Sequence, residues 1–456
     1  MSPIEVRLRV NGADRGVQVA PDESLVDTLR ERLGLTGTHQ GCDTAQCGAC
    51  TVLVEGAPVK SCNRLTAQTA GLEVLTVEAL ADMHGPLHPI QQAFSRHHAL
   101  QCGFCTPGFV MRTLAMGHES VPAEPASVRE ALAGNLCRCT GYEGIVAAIC
   151  EVLPVLRQAP SISTVPRPGA GAVDPMARAV SAATPAEAAR APAYLRVSTL
   201  EEACRVLGEH PEARPLAGGQ SLLPTLRLGL AAPSHLIDLQ GIAGLQTIEI
   251  DAERLLIGAM VPHARVAGDP RVRERWPMLA ALARGIADEQ VRSVGTLGGA
   301  IANNDPAACW PAGVLASAAS IHTTRRRIAA DDFFNGLFTT ALEPGELITG
   351  VAFPRAIAGC YLKFEQPASR FALLGVALVK FADHVRVAIT GLGGGVMRWS
   401  QAESRLGGRF DPAALDGLLL DPALASADLH APAEYRAHLA GVLLRRAVKR
   451  LQGAGR

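Results

Sequence analysis

Eight cysteines in the first third of the chain limit its possible folds more than any other feature. Cys42, Cys47 and Cys50 are spaced C-x4-C-x2-C within GCDTAQCGAC, and Cys62 follows after TVLVEGAPVKS. Three thiolates on one loop and a fourth from elsewhere is the plant-type arrangement for a [2Fe–2S] cluster. Structural zinc more often takes paired C-x2-C knuckles, so this spacing favours iron–sulfur. The flanks suit such a loop. Residues 4–10 and 17–20 alternate as strands around the turn NGADRG, and 24–33 sets Leu25, Val26, Leu29 and Leu33 on one helical face. Thr51–Val54 and Val59–Ser61 read as a hairpin across Glu55–Pro58, which returns Cys62 to the cysteine loop. Gly41, Gly48 and Ala49 are small enough for backbone N–H groups to approach cluster sulfides.

A second set pairs Cys102-x2-Cys105, in QCGFCTPG, with Cys137-x-Cys139, in NLCRCTGYEG. Residues 88–98 read as a helix ending at the first pair, and Pro107 suits the first turn of the next. Ser127-x-x-Glu130 and Thr140-x-x-Glu143 are capping-box signatures. The first opens a short helix stopping near Gly134, the second an apolar helix through Val155. Each cysteine pair thus lies between two helices, and four helices would close both loops on one cluster. On ligand chemistry alone, zinc stays open for this second set.

A chain of 456 residues exceeds one ordinary core, so about two to four domains are expected. Lys and Arg equal Asp and Glu at 43 each, which gives nucleic acid or an acidic membrane surface no charge to recognise. No run of about 18 apolar residues predicts a membrane span. The start MSPIEVRLRVNG lacks the basic and apolar regions of a signal peptide, so a cytoplasmic protein is expected. In that reducing compartment cysteines argue for metal or redox chemistry over disulfides. Residues 158–193, rich in Ala, Pro, Ser and Gly, read as a linker.

Beyond the linker, strands alternate with helices. ARPLAGGQSLLPTLRLG and VRSVGTLGGAIANNDPA each carry a glycine pair, which lets backbone N–H groups approach a diphosphate. By itself such a pair is more often a tight turn. Neither is a G-x-G-x-x-G fingerprint, nor is GLGGG at 391–395. Cys150, Cys204 and Cys360 read as core, His84, His88, His97 and His98 as surface or helix caps, and Arg325–Arg327 as a solvated hairpin edge.

GCDTAQCGAC, QCGFCTPGFVM and NLCRCTGYEGIVAAI together resemble the two-cluster module of the molybdenum hydroxylases, the family of xanthine dehydrogenase, aldehyde oxidoreductase and aerobic carbon monoxide dehydrogenase. The resemblance covers residues 1–157 and matches all eight cysteines, so zinc gives way to iron–sulfur at the second set. It implies that the helical cluster lies nearest the molybdenum cofactor, and that Gln101 contacts its pterin. LAGGQSLLP and TLGGAIANNDPA resemble the two loops that hold FAD in the same family, with the match running from about residue 194 to the C-terminus. It implies that Ala217, Gly218, Gly219, Gln220 and Ser221 cradle the diphosphate, with Thr296, Gly298 and Gly299 completing the cradle. Asp305 would sit by the ribityl chain and Lys363 near the flavin ring. The family usually carries Asn or Asp at 300 and acids at 309 and 370; Ala300, Cys309 and Arg370 here imply weakly held FAD.

The expected fold is α+β and multidomain. It comprises a ferredoxin-like β-grasp [2Fe–2S] domain (1–80), a four-helix [2Fe–2S] domain (81–157), the linker (158–193), an α+β FAD-binding domain (194–353) and a C-terminal α+β domain (354–456). The resemblance implies an electron-transfer subunit, carrying electrons from a molybdenum centre in a large partner subunit through two [2Fe–2S] clusters to FAD and then NAD or another acceptor. A heterotetramer of two such pairs is implied. The substrate pocket would lie in the partner, which leaves purines, other N-heterocycles and aldehydes open. One alternative is a self-sufficient iron–sulfur flavoprotein reductase, which needs a nicotinamide fingerprint that is not visible. Another is a colourless zinc module, where iron–sulfur would be red-brown.

Overall fold

Ile4–Val10 (β1) and Ala13–Val19 (β2) pair antiparallel from Ile4 opposite Val19 to Val10 opposite Ala13. Their alternation buries Val6, Leu8, Val10, Val17 and Val19 on one face. Asn11 (φ 52°) and Gly12 (φ 80°) make a two-residue turn, so the second strand starts earlier than the sequence suggests. Ser24 caps Leu25–Asp27 (α1) by accepting from the Asp27 N–H, and the chain continues as a π turn through Arg32. Leu25, Val26 and Leu29 are fully buried there, while Leu33 is only half-buried. Thr51–Val54 (β3), Ala57–Lys60 (β4) and Glu73–Leu75 (β5) complete a five-stranded sheet ordered β2-β1-β5-β3-β4. Its second hairpin turns on Glu55 and Gly56, both at positive φ, two residues tighter than Glu55–Pro58.

This computed structural model describes residues 3–81, 85–158, 191–367 and 369–453, so His84 and nearly all of the linker at 158–193 lie outside the described residues. The chain forms two compact units. One comprises Met1–Leu195, Glu212–Asp238 and Asp288–Ser293; the other comprises Arg196–Pro211, Leu239–Ala287 and Val294–Arg456.

In the first unit, Pro89–Arg96 (α2), Thr106–Met116 (α3), Pro125–Ala131 (α4) and Glu143–Gln158 (α5) bury Ile90, Phe94, Phe109, Met111, Ile145, Ile149 and Leu153 together. Each such side chain contributes roughly 1.5–3 kcal/mol of burial free energy. His88 caps α2 in a reciprocal capping box with Gln91, and Pro107 lies in the first turn of α3. Two capping expectations fail. Pro125 opens α4, leaving Glu124 at the cap and Ser127 inside the helix. Thr140 accepts from Tyr142 N–H and lies 3.1 Å from Cys137 Sγ, while Glu143 pairs with Arg129. Thr140 therefore serves the cysteine loop instead of capping α5.

Also in that unit, Arg214–Leu216 pairs parallel with His235–Asp238, and the first glycine turn follows directly. The second unit holds two sheets. Arg327–Ala329, Ser320–Thr323, Ile348–Pro354, Arg254–Gly258 and Ile248–Ile250 form one, in that order. Ala358–Glu365, Ala372–Lys380, Val385–Thr390 and Met397–Arg398 form the other, backed by the helix Ala433–Gly453. Arg325 and Arg326 are ion-paired with Glu343 and Glu346, so that hairpin edge is braced as well as solvated.

Candidate functional site

The ferredoxin-type loop gathers its sulfurs by backbone donation. The N–H groups of Gln46 and Cys47 donate to Cys42 Sγ at 3.4 and 3.3 Å, and that of Cys62 to Cys50 Sγ at 3.5 Å. Such donors favour a thiolate and a reduced cluster. Cys42 is held below the ordinary thiol range by the hydrogen bond from Cys47, and Cys50 by that from Cys62. Cys47 is raised against Cys42, and Cys62 against Cys42 and then Cys50. The glycines also meet close packing. A Cβ on Gly41 would sit 3.0 Å from Cys47 Sγ. Gly48, at φ 71°, is packed so closely that a Cβ would lie 2.1 Å from the Gly134 carbonyl.

In the helical loops, Cys102 and Cys139 bring their sulfurs to 3.5 Å, and Cys105 meets Cys137. Burial, then Cys137, pushes the Cys105 thiol up to about 12. Each pair draws one thiol from each loop. Among the described residues, no three His, Cys, Asp or Glu side chains close to the spacing of a single ion. Two irons share four thiolates in pairs, and two converging pairs fit a [2Fe–2S] group. Gln101, Cys102, Arg138 and Cys139 are exposed, beside exposed Leu100, Phe104 and Leu136.

Buried contacts that the sequence reading missed tie these loops together. Leu136 N–H donates to the Cys47 carbonyl at 2.8 Å, and Asn135 Nδ2 to the Gly48 carbonyl at 2.9 Å. Gln290 Nε2 donates to Asn135 Oδ1 at 2.6 Å. On the other side of the ferredoxin loop, Asn63 Nδ2 donates to Gln220 Oε1 at 3.0 Å and Gln68 Nε2 to the Ala217 carbonyl at 3.3 Å. Asp43 pairs with Arg227. Cys62 and the first glycine turn therefore share one packed junction.

The two glycine turns differ in what they leave open. Gly218 and Gly219 are buried, Gly219 at φ 72°, and among the described residues nothing accepts from the N–H groups of Gly218, Gly219, Gln220 or Ser221. Buried donors without acceptors fit an absent anionic ligand such as the FAD diphosphate. The second turn is already satisfied. Gly298 N–H donates to the Ala259 carbonyl, and Gly299 N–H to Thr296 Oγ1. A Cβ on Gly298 would sit 2.6 Å from that of Ala259, so close packing explains this glycine without a ligand. Thr296 retains a hydroxyl proton to donate.

Asp305 is partly buried, and burial raises its carboxyl, offset in part by the Ala307 N–H. Lys363 Nζ donates to the carbonyls of Gly285 at 2.6 Å and Arg370 at 2.5 Å, and pairs with Glu365 at 3.4 Å. Cys309 is fully buried beside the Tyr361 hydroxyl, which makes no hydrogen bond of ordinary geometry. Burial raises the Cys309 thiol, opposed by the Lys363 charge. Ala300 packs against the hydrophobic core, and Arg370, at φ 60°, reaches Glu365 at 3.6 Å.

Four family descriptions match along the chain. They are a 2Fe-2S iron-sulfur cluster binding domain (8–75), a [2Fe-2S] binding domain (76–150), the FAD binding domain in molybdopterin dehydrogenase (187–356) and the CO dehydrogenase flavoprotein C-terminal domain (360–451). The nicotine 6-hydroxylase small subunit of Paenarthrobacter nicotinovorans is 49% identical over 148 residues, covering 32% of this chain and 88% of that one. The chain belongs to the molybdenum hydroxylase family. This hydroxylase-family chain also matches the nicotine 6-hydroxylase medium subunit of the same organism, at 36% identity over 56% of this chain and 95% of that one. A structure of reconstituted CO dehydrogenase from Oligotropha carboxidovorans aligns with TM-score 0.54 and 32% identity, over 57% of this chain and 97% of that one. As a molybdenum hydroxylase component the chain is an oxidoreductase subunit with two [2Fe–2S] domains and an FAD-binding domain. It joins in one polypeptide what P. nicotinovorans divides between two subunits. Among the described residues, no helix is long and apolar enough to cross a membrane.

Proposed function

We propose that this subunit carries electrons from a molybdenum centre in a large partner subunit to FAD, through clusters held first by Cys102, Cys105, Cys137 and Cys139 and then by Cys42, Cys47, Cys50 and Cys62. When bound, the clusters supply one-electron carriers and the flavin a two-electron exit. The observation carrying this order is the ferredoxin loop's position, bonded to the helical loop through Cys47 and Leu136 and to the first glycine turn through Asn63 and Gln220. The chain's own part is placement: backbone donors to the thiolates favour the reduced cluster, and buried amide contacts fix the distances between sites. Gln101 and the exposed apolar residues around Cys102 and Cys139 would face the large subunit, with two such pairs assembling in the cytoplasm and passing electrons to NAD or another acceptor. The linear domain boundaries at 80, 157, 193 and 353 belong to the same reading.

The test is the assembled complex with Cys62→Ser, mixed with the substrate its large subunit hydroxylates. Flavin bleaching should slow by orders of magnitude while the helical cluster still reduces. Bleaching at the wild-type rate would exclude the order.

FAD is held chiefly by the first turn, because the second offers Thr296 and few open backbone donors. Gly219→Ala strains a left-handed residue by about 1–2 kcal/mol and crowds Leu223, whose Cδ1 would lie 2.8 Å away. We expect its flavin-to-protein ratio to fall severalfold after dialysis, read from the visible spectrum, with iron content unchanged. An unchanged ratio would place the diphosphate elsewhere.

A further inference from the structure

Lys60 is a buried cation beneath the ferredoxin loop. Its side chain is 2% exposed, and Nζ donates to the Ala45 carbonyl at 2.7 Å, the Gln46 carbonyl at 3.5 Å and Asp288 Oδ2 at 2.7 Å. Ala45 and Gln46 lie between Cys42 and Cys47, and the Gln46 N–H donates to Cys42 Sγ.

Asp288 belongs to the flavin-module stretch Asp288–Ser293, within the same compact unit. It caps the turn Glu289–Arg292 by accepting from the Val291 N–H, and it packs on Gly134, where a Cβ would lie 2.7 Å from its Cγ. A buried ammonium is retained only where a counter-charge and hydrogen bonds satisfy it. Here one acceptor set is the cluster loop, and the counter-charge comes from the flavin module.

We propose that Lys60 raises the reduction potential of the cluster at Cys42, Cys47, Cys50 and Cys62, and that Asp288 lowers it again. Reduction adds a negative charge to the cluster, so a fixed cation nearby favours it and a fixed anion opposes it. Burial leaves both charges little screened. Residues of the flavin module thereby set the driving force for electrons arriving at that module. The inference rests on the proposed ligand set, and its test separates the two.

The experiment is a potentiometric titration followed by electron paramagnetic resonance on the complete chain, with the helical cluster as internal reference. Lys60→Met should shift the ferredoxin-type signal to lower potential, Asp288→Asn to higher potential, and Lys60→Arg should stay near wild type. The helical cluster should move in none of them. Asp288→Asn preserves the side chain's shape and one acceptor oxygen, enough to keep the cap on the Val291 N–H, while it removes the anion that faces Lys60, so it gives a sign even if Lys60→Met fails to fold. Shifts of the same sign in the Met and Asn variants, or no shift in the Asn variant, would overturn the proposal. Absence of a ferredoxin-type signal in the wild type would overturn the ligand set instead.

Discussion

Cys137→Ser should leave about half the iron of the wild-type chain, which should hold about four irons as two [2Fe–2S] clusters. One of two paramagnetic signals should vanish and the other persist. Cys137 pairs with Cys105 and lies on the loop whose Leu136 N–H reaches Cys47, yet it contributes no sulfur to the ferredoxin set. Cys62→Ser should produce the complementary loss. Its effect should be the more severe of the two, because Cys62 is buried at the junction with Gln220 whereas Cys137 is only partly buried. Iron analysis with quantitative spin counting decides this. A single signal in the wild type, or zinc in place of iron, would refute the two-cluster assignment.

Gly48→Ala should cost far more than an ordinary glycine substitution. Its left-handed backbone alone costs about 1–2 kcal/mol with a side chain. A Cβ would also sit 2.1 Å from the Gly134 carbonyl and 2.7 Å from Asn135 Nδ2. Separating those loops removes the Asn135 to Gly48 hydrogen bond and strands buried polar groups, adding about 1–3 kcal/mol. We expect a melting temperature lower by about 5–15 °C, at roughly 2–4 °C per kcal/mol for a domain of this size. Both cluster signals should broaden or fall together. Gly56→Ala is the control: it shares positive φ (79°) but has no atom within 4 Å of a new Cβ. It should cost only the backbone term. Equal effects of the two substitutions would show that loop contact plays no part.

The two cysteine sets that the structure brings together, and the loops bearing them, were legible because their information is local. A C-x4-C-x2-C spacing, a proline in a first turn and a five-residue apolar alternation each act within a few residues. What was not legible is long-range. Lys60 and Asp288 are 228 residues apart in sequence, and Asn135 and Gln290 are 155 apart, so nothing near either member announces its partner. Turn lengths failed for a different reason. Asn11 and Glu55 adopt positive φ, which shortens each hairpin below what residue type suggests. At Ser127 a good capping residue lost to Pro125, whose fixed φ opens the helix three residues earlier. The two glycine pairs look alike in sequence but serve different needs, open donors at Gly218 and Gly219 and close packing against Ala259 at Gly298. Only the neighbouring backbone separates those roles.

The proposed order of the sites is most directly tested by freeze-quench paramagnetic resonance on the assembled complex, mixed with its substrate. In the wild type, both cluster signals should appear and the flavin should bleach. In Cys62→Ser the helical signal should appear at the wild-type rate while the flavin stays oxidised over the same interval. A flavin that bleaches as fast in the variant as in the wild type would contradict the route through the ferredoxin-type loop.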